Sequence, residues 1–449
     1  MNNAPVTFPA VAVPADPDHA RLLGLYPQRQ EGLLMQRIRV FGGRLTARQW
    51  VALAGIARKL TPNVPLHLTT RQDIEIHGLD DQTVPQGQQM LDHAGLTGLG
   101  ACGDTIRNVT VCPCSGVLAD APDLLPLARQ LTELFQSQKG AFAMPRKFKI
   151  SLSACSAGCG QPWINDMGFV VTHHEGEIKF RVMLAGSLGA KPGAGIAYHR
   201  LLDPNEALPL VLAAFRLFEA HGDREHRTRA RLRHVRERLG DVEFLELLDR
   251  EFASTSEERN WPDVKLVAPD DIFPSQKILY FADGNIDADS AEAIGTLAGR
   301  DDLLRVRLGN HHQIFVFARD DKVLDDALVE THLESFTQPG FRVVACPGNR
   351  WCSHGLGDTG KLASAVRKRL DGVASKDTLI AISGCPNGCA HNAVGDVGAV
   401  GGLTGPKEDR QEVWNISAGG ERGLGPALAQ PVASKLPLDE AVAKIADCL

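Results

Sequence analysis

The spacing of apolar residues changes several times along the chain, and each change marks a predicted element. In QRIRVFGG (36–43) apolar and polar residues alternate, the mark of a strand. ARQWVALAGIARKL (47–60) places its apolar side chains at helical intervals. VPLHLTTRQDIEIHGL (64–79) reads as two further strands, and VPQGQQMLDHAGL (84–96) as a second helix. Strand, helix, strand, strand, helix is an α+β half-domain of ferredoxin-like type, expected over 21–95. KILYFADGNIDADSAEAIGTLAGR (277–300) and LLRVRLGNHHQIFVFAR (303–319) repeat that order, predicting a second such unit over 269–340.

Between the two units, residues 96–253 are rich in glycine and cysteine and turn helical from about residue 205. ASTSEERNWPD (253–263) suggests a linker over 254–268, and a last segment fills 341–449. The strongest long-range pattern joins two of these regions. ISLSACSAGCGQPWINDMGFV (150–170) aligns without gaps against IAISGCPNGCAHNAVGDVGAV (380–400), at a constant offset of 230 residues. Such a duplication predicts two pseudo-symmetric halves, each a ferredoxin-like half-domain plus an α+β cofactor-binding segment. A ligand site is expected where the halves meet.

Composition narrows the function without naming it. The chain has 449 residues, 43% hydrophobic and 23% charged, with a formal net charge of −6. Mild acidity argues against nucleic acid or an anionic membrane as partner. The Arg-rich stretch 224–238 is then better read as a helix face toward solvent or an anionic cofactor. No apolar run approaches the roughly 20 residues of a membrane span. Residues 1–20 lack a basic start followed by an apolar stretch, so a mobile tail and a cytoplasmic address are expected.

Cysteine changes the picture more. Nine of the ten cysteines fall within 102–159 and 346–389, and only Cys448 stands apart. Clustered thiols in such a chain favour metal or redox chemistry over a disulfide framework. CPGNRWC (346–352) and CPNGC (385–389) supply two close pairs, Cys346 with Cys352 and Cys385 with Cys389. Four thiolates so paired can cap the irons of one cubane cluster. Zinc is the competitor, but its paired cysteines usually enclose two to four residues, and CPGNRWC encloses five. Spacing therefore favours iron–sulfur.

This pattern resembles the siroheme and [4Fe–4S] signature of sulfite and nitrite reductases. YPQRQEGLLMQRIRVFGGRLT, LTTRQDIEIHGL, GDTIRNVTVCP and MPRKFKISLS resemble further segments of that family, in family order. The resemblance covers nearly the whole chain. It implies reduction of sulfite to sulfide, or of nitrite to ammonia. Cys389 would bridge the cluster to siroheme iron, and Arg39, Arg107, Lys147 and Lys149 would face the substrate. A small anion that takes up electrons and protons needs fixed cations around it. On the same basis Thr70, Arg71, Gln72, Asn108, Arg146 and Asn349 would line the eight-carboxylate siroheme. His77 is expected to support the site rather than act in it. The chain shows no G-x-G-x-x-G after a strand, so single electrons would come from an external ferredoxin or flavoprotein.

Two competing functions remain at this level: a precorrin-3B-synthase-like monooxygenase, and a non-catalytic electron-transfer subunit. Neither needs a pocket of four cations. The first half adds Cys112, Cys114, Cys155 and Cys159, where assimilatory family members usually have few cysteines. CPC (112–114) does not copy the wide loop of CPGNRWC, so one cluster is expected and these thiols are read as core residues. A second cluster there is the alternative.

Overall fold

The computed structural model describes residues 17–337, 341–371, 378–425 and 427–449. Most of the tail expected over 1–20, residues 1–16, lies outside that range. The helix read from the sequence forms over Ala47–Leu60 and is closed by a capping box between Thr46 and Gln49. It buries Trp50, Leu53, Ile56 and Leu60 on one stripe. Each fully buried side chain of this size contributes about 1.5–3 kcal/mol. The strands Leu34–Ile38, Leu66–Leu68 and Ile74–Leu79 pair antiparallel beside it, and the second helix spans Thr83–His93.

The second unit repeats this plan. Strands Ser275–Tyr280, Gln313–Ala318 and Leu304–Leu308 form an antiparallel sheet, with helices Ala288–Ala298 and Asp321–Glu330. The two units are not separate bodies, however. The short strand Asn285–Ile286 leaves the second unit and pairs with Leu66–His67 of the first. Helices Ala47–Leu60 and Ala288–Ala298 pack closely: a Cβ on Gly295 would lie 3.0 Å from the Cβ of Trp50. One continuous core runs from Leu25 through Leu91 to Leu279 and Leu333. Among the described residues three large cores thus form, one of them shared by both ferredoxin-like units.

The other two cores belong to the duplicated segments. Each is built on a five-stranded sheet of the same topology, running parallel, parallel, antiparallel, antiparallel. In the first segment the parallel strands are Thr110–Val111, Ile150–Ser153 and Met167–His174. In the second they are Arg342–Ala345, Leu379–Ser383 and Val397–Thr404. Cys112 and Cys346 follow the first strand of each sheet, and Cys155 and Cys385 the second. Because adjacent parallel strands end on one side of the sheet, cysteines some 40 residues apart in sequence meet there. The helices of the first segment, Ala207–His221, Leu232–Leu239 and Asp241–Glu257, pack on its sheet.

Candidate active site

One cleft gathers residues from three regions of the chain. It measures ≈ 250 Å³ and is lined by Cys346, Cys352, Cys385 and Cys389. Arg107, Lys147 and Lys149 line it from the first segment, and Thr70 and Arg71 from the first ferredoxin-like unit. The loop after Cys346 is held from the far end of the sequence. Arg29 N–H donates to Trp351 O at 2.9 Å, Gln30 Nε2 to Arg350 O at 2.6 Å, and Gln28 forms a bridge with Cys352. YPQRQ therefore acts as a clasp on CPGNRWC.

Backbone geometry shapes the cysteine wall. Gly388, inside the Cys385–Cys389 loop, has φ = 67°, a conformation that favours glycine. Gly384 N–H donates to Cys346 Sγ at 3.2 Å, and Thr70 Oγ1 donates to Cys389 O at 2.7 Å. The last contact ties a ferredoxin-like unit to the cysteine that the resemblance makes the bridge. Burial raises the thiols of Cys346 and Cys352 and pushes Cys385 up to about 11, so a bound cation is what would favour their thiolates. Cys389 lies within electrostatic reach of the other three thiols and, on its other side, of Lys147 and Lys149.

The cationic side is unbalanced. Among the described residues, neither the Lys147 nor the Lys149 ammonium has a carboxylate partner. Enclosure in the cleft, then Arg107, lowers Lys147 to about 7. Enclosure, then Arg71, holds Lys149 well below the usual ammonium range. Two crowded ammonium groups without counter-charge make a site for an anion. Arg71 is braced by Asn165 Oδ1 at 2.8 Å and by the carbonyls of Asn108 and Ile150 at 2.6 and 3.1 Å, while its Nε stays without a partner. Arg107 is fixed by the carbonyls of Ala101 and Gly103.

The remaining residues named from the sequence sit one layer back. Arg39 is 1% exposed and donates to Ile106 O at 2.8 Å, while its Nε and Nη1 have no partner. It adjoins Arg107 but does not line the cleft. Gln72 is a tie: its Nε2 donates to Val111 O and Leu308 O, both at 2.7 Å. Asn108 Nδ2 donates to Val40 O at 2.8 Å and Arg71 O at 3.1 Å. Arg146 pairs with Asp104 at 3.0 Å, and Asn349 donates to Glu412 at 3.3 Å. Arg37 and Cys102, in contrast, do line the cleft and were missed. Arg37 pairs with Glu75 at 2.6 Å and donates to Cys102 Sγ at 3.3 Å. Burial works against the Glu75 carboxylate, yet Arg37 and then His77 hold it well below the usual range. Residues 37 and 39 share a strand face, so the alternation that finds one finds both.

Comparison with known proteins agrees with this geometry. The model of the nitrite and sulphite reductase 4Fe-4S domain matches residues 102–255 and 341–448, more than half of the chain. The chain belongs to the nitrite and sulphite reductase family. The model of the nitrite/sulfite reductase ferredoxin-like half domain matches residues 26–94. An assimilatory ferredoxin-dependent nitrite reductase of Haloferax mediterranei is 30% identical, over 94% of this chain and 80% of that protein. The NADPH sulfite reductase hemoprotein beta-component of Acidithiobacillus ferrooxidans is 26% identical, over 86% and 76%. The Mycobacterium tuberculosis NirA protein has the same fold, with a TM-score of 0.80 at 23% identity over 95% of this chain and 85% of that one. Family membership makes this chain an oxidoreductase and implies siroheme and a [4Fe–4S] cluster. Among the described residues no helix is long and apolar enough to cross a membrane.

The cleft fits those two groups. Four thiols without disulfides form one wall, as a cubane requires. Arg37, Arg71, Arg107, Lys147 and Lys149 outnumber Asp73 and Glu75 along the lining, the balance a polycarboxylate needs.

Proposed function

We propose that this chain reduces a small oxyanion, sulfite or nitrite, in the cleft between Cys389 and the Lys147–Lys149 segment. The product would be sulfide or ammonia, six electrons arriving singly from an external ferredoxin or flavoprotein. The observation that carries the reading is the pair of ammonium groups without counter-charge that face Cys389. Cys346, Cys352, Cys385 and Cys389 would hold the cluster, with Cys389 shared with siroheme. Bound there, these groups would relay the donor's electrons to the anion.

The protein supplies the rest. Lys147, Lys149 and Arg107 attract the anion and balance charge as its oxygens leave. Such aimed cations are typically worth about 2.7–4 kcal/mol each of barrier. With its pKa lowered to about 7, Lys147 can give up a proton and regain it near neutral pH. Arg71 and Thr70 orient the cofactor edge and the Cys389 loop, while Arg39 holds Ile106 O beside Arg107. A synthase acting on a large tetrapyrrole has no use for this anion pocket, and neither has a bare electron carrier.

Protein purified without oxygen should show a Soret band and the far-red band of an isobacteriochlorin. With a reduced viologen dye it should turn over sulfite, nitrite or both, and the ratio of rates assigns the substrate. A colourless zinc protein, or a coloured one inert toward both anions, overturns the proposal.

A further inference from the structure

The four first-half thiols, read from sequence as core residues, are gathered in space. Cys112, Cys114, Cys155 and Cys159 lie within electrostatic reach of one another in every pairing. Their setting copies the cluster wall contact by contact. Ala154 N–H donates to Cys112 Sγ at 3.1 Å, as Gly384 N–H does to Cys346 Sγ at 3.2 Å. Gly160 N–H reaches Ser153 Oγ at 3.0 Å, as Ala390 N–H reaches Ser383 Oγ at 3.2 Å. Gly158 has φ = 64°, matching 67° at Gly388. Asn310 Nδ2 donates to Cys159 O at 3.3 Å, and Thr70 Oγ1 to Cys389 O at 2.7 Å. Asn310 and Thr70 occupy the same corner of the two ferredoxin-like units, each two residues after the matching Leu308 and Leu68 and two before His312 and Gln72, whose φ values are 56° and 60°.

The objection from spacing concerned Cys114, which stands two residues after Cys112 where Cys352 stands six after Cys346. A turn answers it. Ser115 N–H donates to Cys112 O at 3.1 Å, and Val117 and Leu118 N–H both donate to Cys114 O, at 3.0 and 3.3 Å. The chain doubles back there and brings Cys114 to Cys155 and Cys159. We propose that Cys112, Cys114, Cys155 and Cys159 hold a second [4Fe–4S] cluster.

A cubane is favoured over a single ion by size. Among the described residues no group of His, Cys, Asp or Glu closes to the spacing of one ion's ligands. That holds equally for Cys346, Cys352, Cys385 and Cys389, the quartet proposed above for the first cluster. The second cluster has no heme beside it. Where lysines face Cys389, the corner beside Cys159 is filled by Gln161 and His311, 2.8 Å apart and buried. This inference is independent of which oxyanion is reduced.

Iron, acid-labile sulfide, zinc and siroheme are measured per chain in full-length protein purified without oxygen. The expected values are about nine irons and about eight sulfides for one siroheme. Replacing Cys155 and Cys159 together by Ser should remove about four irons and leave the siroheme absorbance and the heme-linked cluster resonance unchanged. If that variant does not fold, the single change Cys114→Ser should lose one iron and show the resonance of a three-iron cluster in the oxidised protein. About five irons in the parent, one zinc held by these thiols, or loss of siroheme along with the iron in the double variant would overturn the proposal.

Discussion

The two duplicated segments share a sheet, a cysteine loop and a glycine corner, yet among the described residues lysines face the thiols of only one. Opposite Cys389 stand Lys147 and Lys149; Asn310 donates to Cys159 O, and Gln161, two residues on from Cys159, meets His311. The imidazole of His311 is lowered to about 3 by burial, then by Arg342 and Arg422, so it stays neutral. The difference teaches that both copies share a fold that gathers thiols, whereas the cations of the cleft come from the opposite copy. Each half completes the other: the first segment gives cations to the thiol wall of the second.

The largest test of that division compares equivalent cysteines. Cys389→Ser should reduce turnover to background and disturb siroheme and cluster spectra together, because it is the thiol next to the lysines. Cys159→Ser should leave the siroheme spectrum as in the parent. Normal spectra after Cys389→Ser would remove the bridging role.

A second contrast concerns the matched aspartates. Asp166 is fully buried, accepts from Lys149 N at 2.8 Å and pairs with Arg231 at 2.6 Å. Its counterpart Asp396 is 41% exposed at its side chain and meets Arg422 at 3.2 Å. Removing one partner of a buried pair strands a charge, so Arg231→Ala should cost about 3–5 kcal/mol in denaturant unfolding. Arg422→Ala should cost about 0–1 kcal/mol. Equal losses would mean that the duplication has kept the two sites equivalent.

The third test reads the lysines. Lys147→Ala should keep the siroheme spectrum and slow turnover about 10²–10³-fold. Lys147 is charged below its lowered value of about 7 and loses its proton as pH rises through it. Attraction for the anion is thus present on the acid side, and kcat/KM should fall about tenfold per pH unit above about 7. Lys147→Arg, whose guanidinium stays charged, should flatten that limb. A pH profile identical in both proteins would exclude Lys147 as the titrating group.

The periodic elements were legible in sequence because one face of each meets a core. The helix at Ala47–Leu60 was read residue for residue, and the strands around Leu66–Leu79 within a residue or two. That Cys346, Cys352, Cys385 and Cys389 come together in one cleft was foreshadowed by their paired spacing. Arg37 was missed because alternation cannot say which of two residues on one face reaches a cleft. The gathering of Cys114 was missed because it depends on a turn among non-periodic residues. The merging of the two ferredoxin-like units was invisible for another reason. Asn285–Ile286 is too short to carry a strand pattern, and its partner Leu66–Leu68 lies more than 200 residues away.

That two-residue pairing sets a timetable for biosynthesis. During synthesis, the sheet containing Leu66 lacks its outer strand until residue 286 has left the ribosome, and the shared core lacks a side until Leu333 follows. The clasp of YPQRQ has nothing to hold until CPGNRWC appears later still. Cofactor loading at the cleft therefore has to wait until the loop carrying Cys385 and Cys389 has been made, and until then the first ferredoxin-like unit lacks part of its sheet and core.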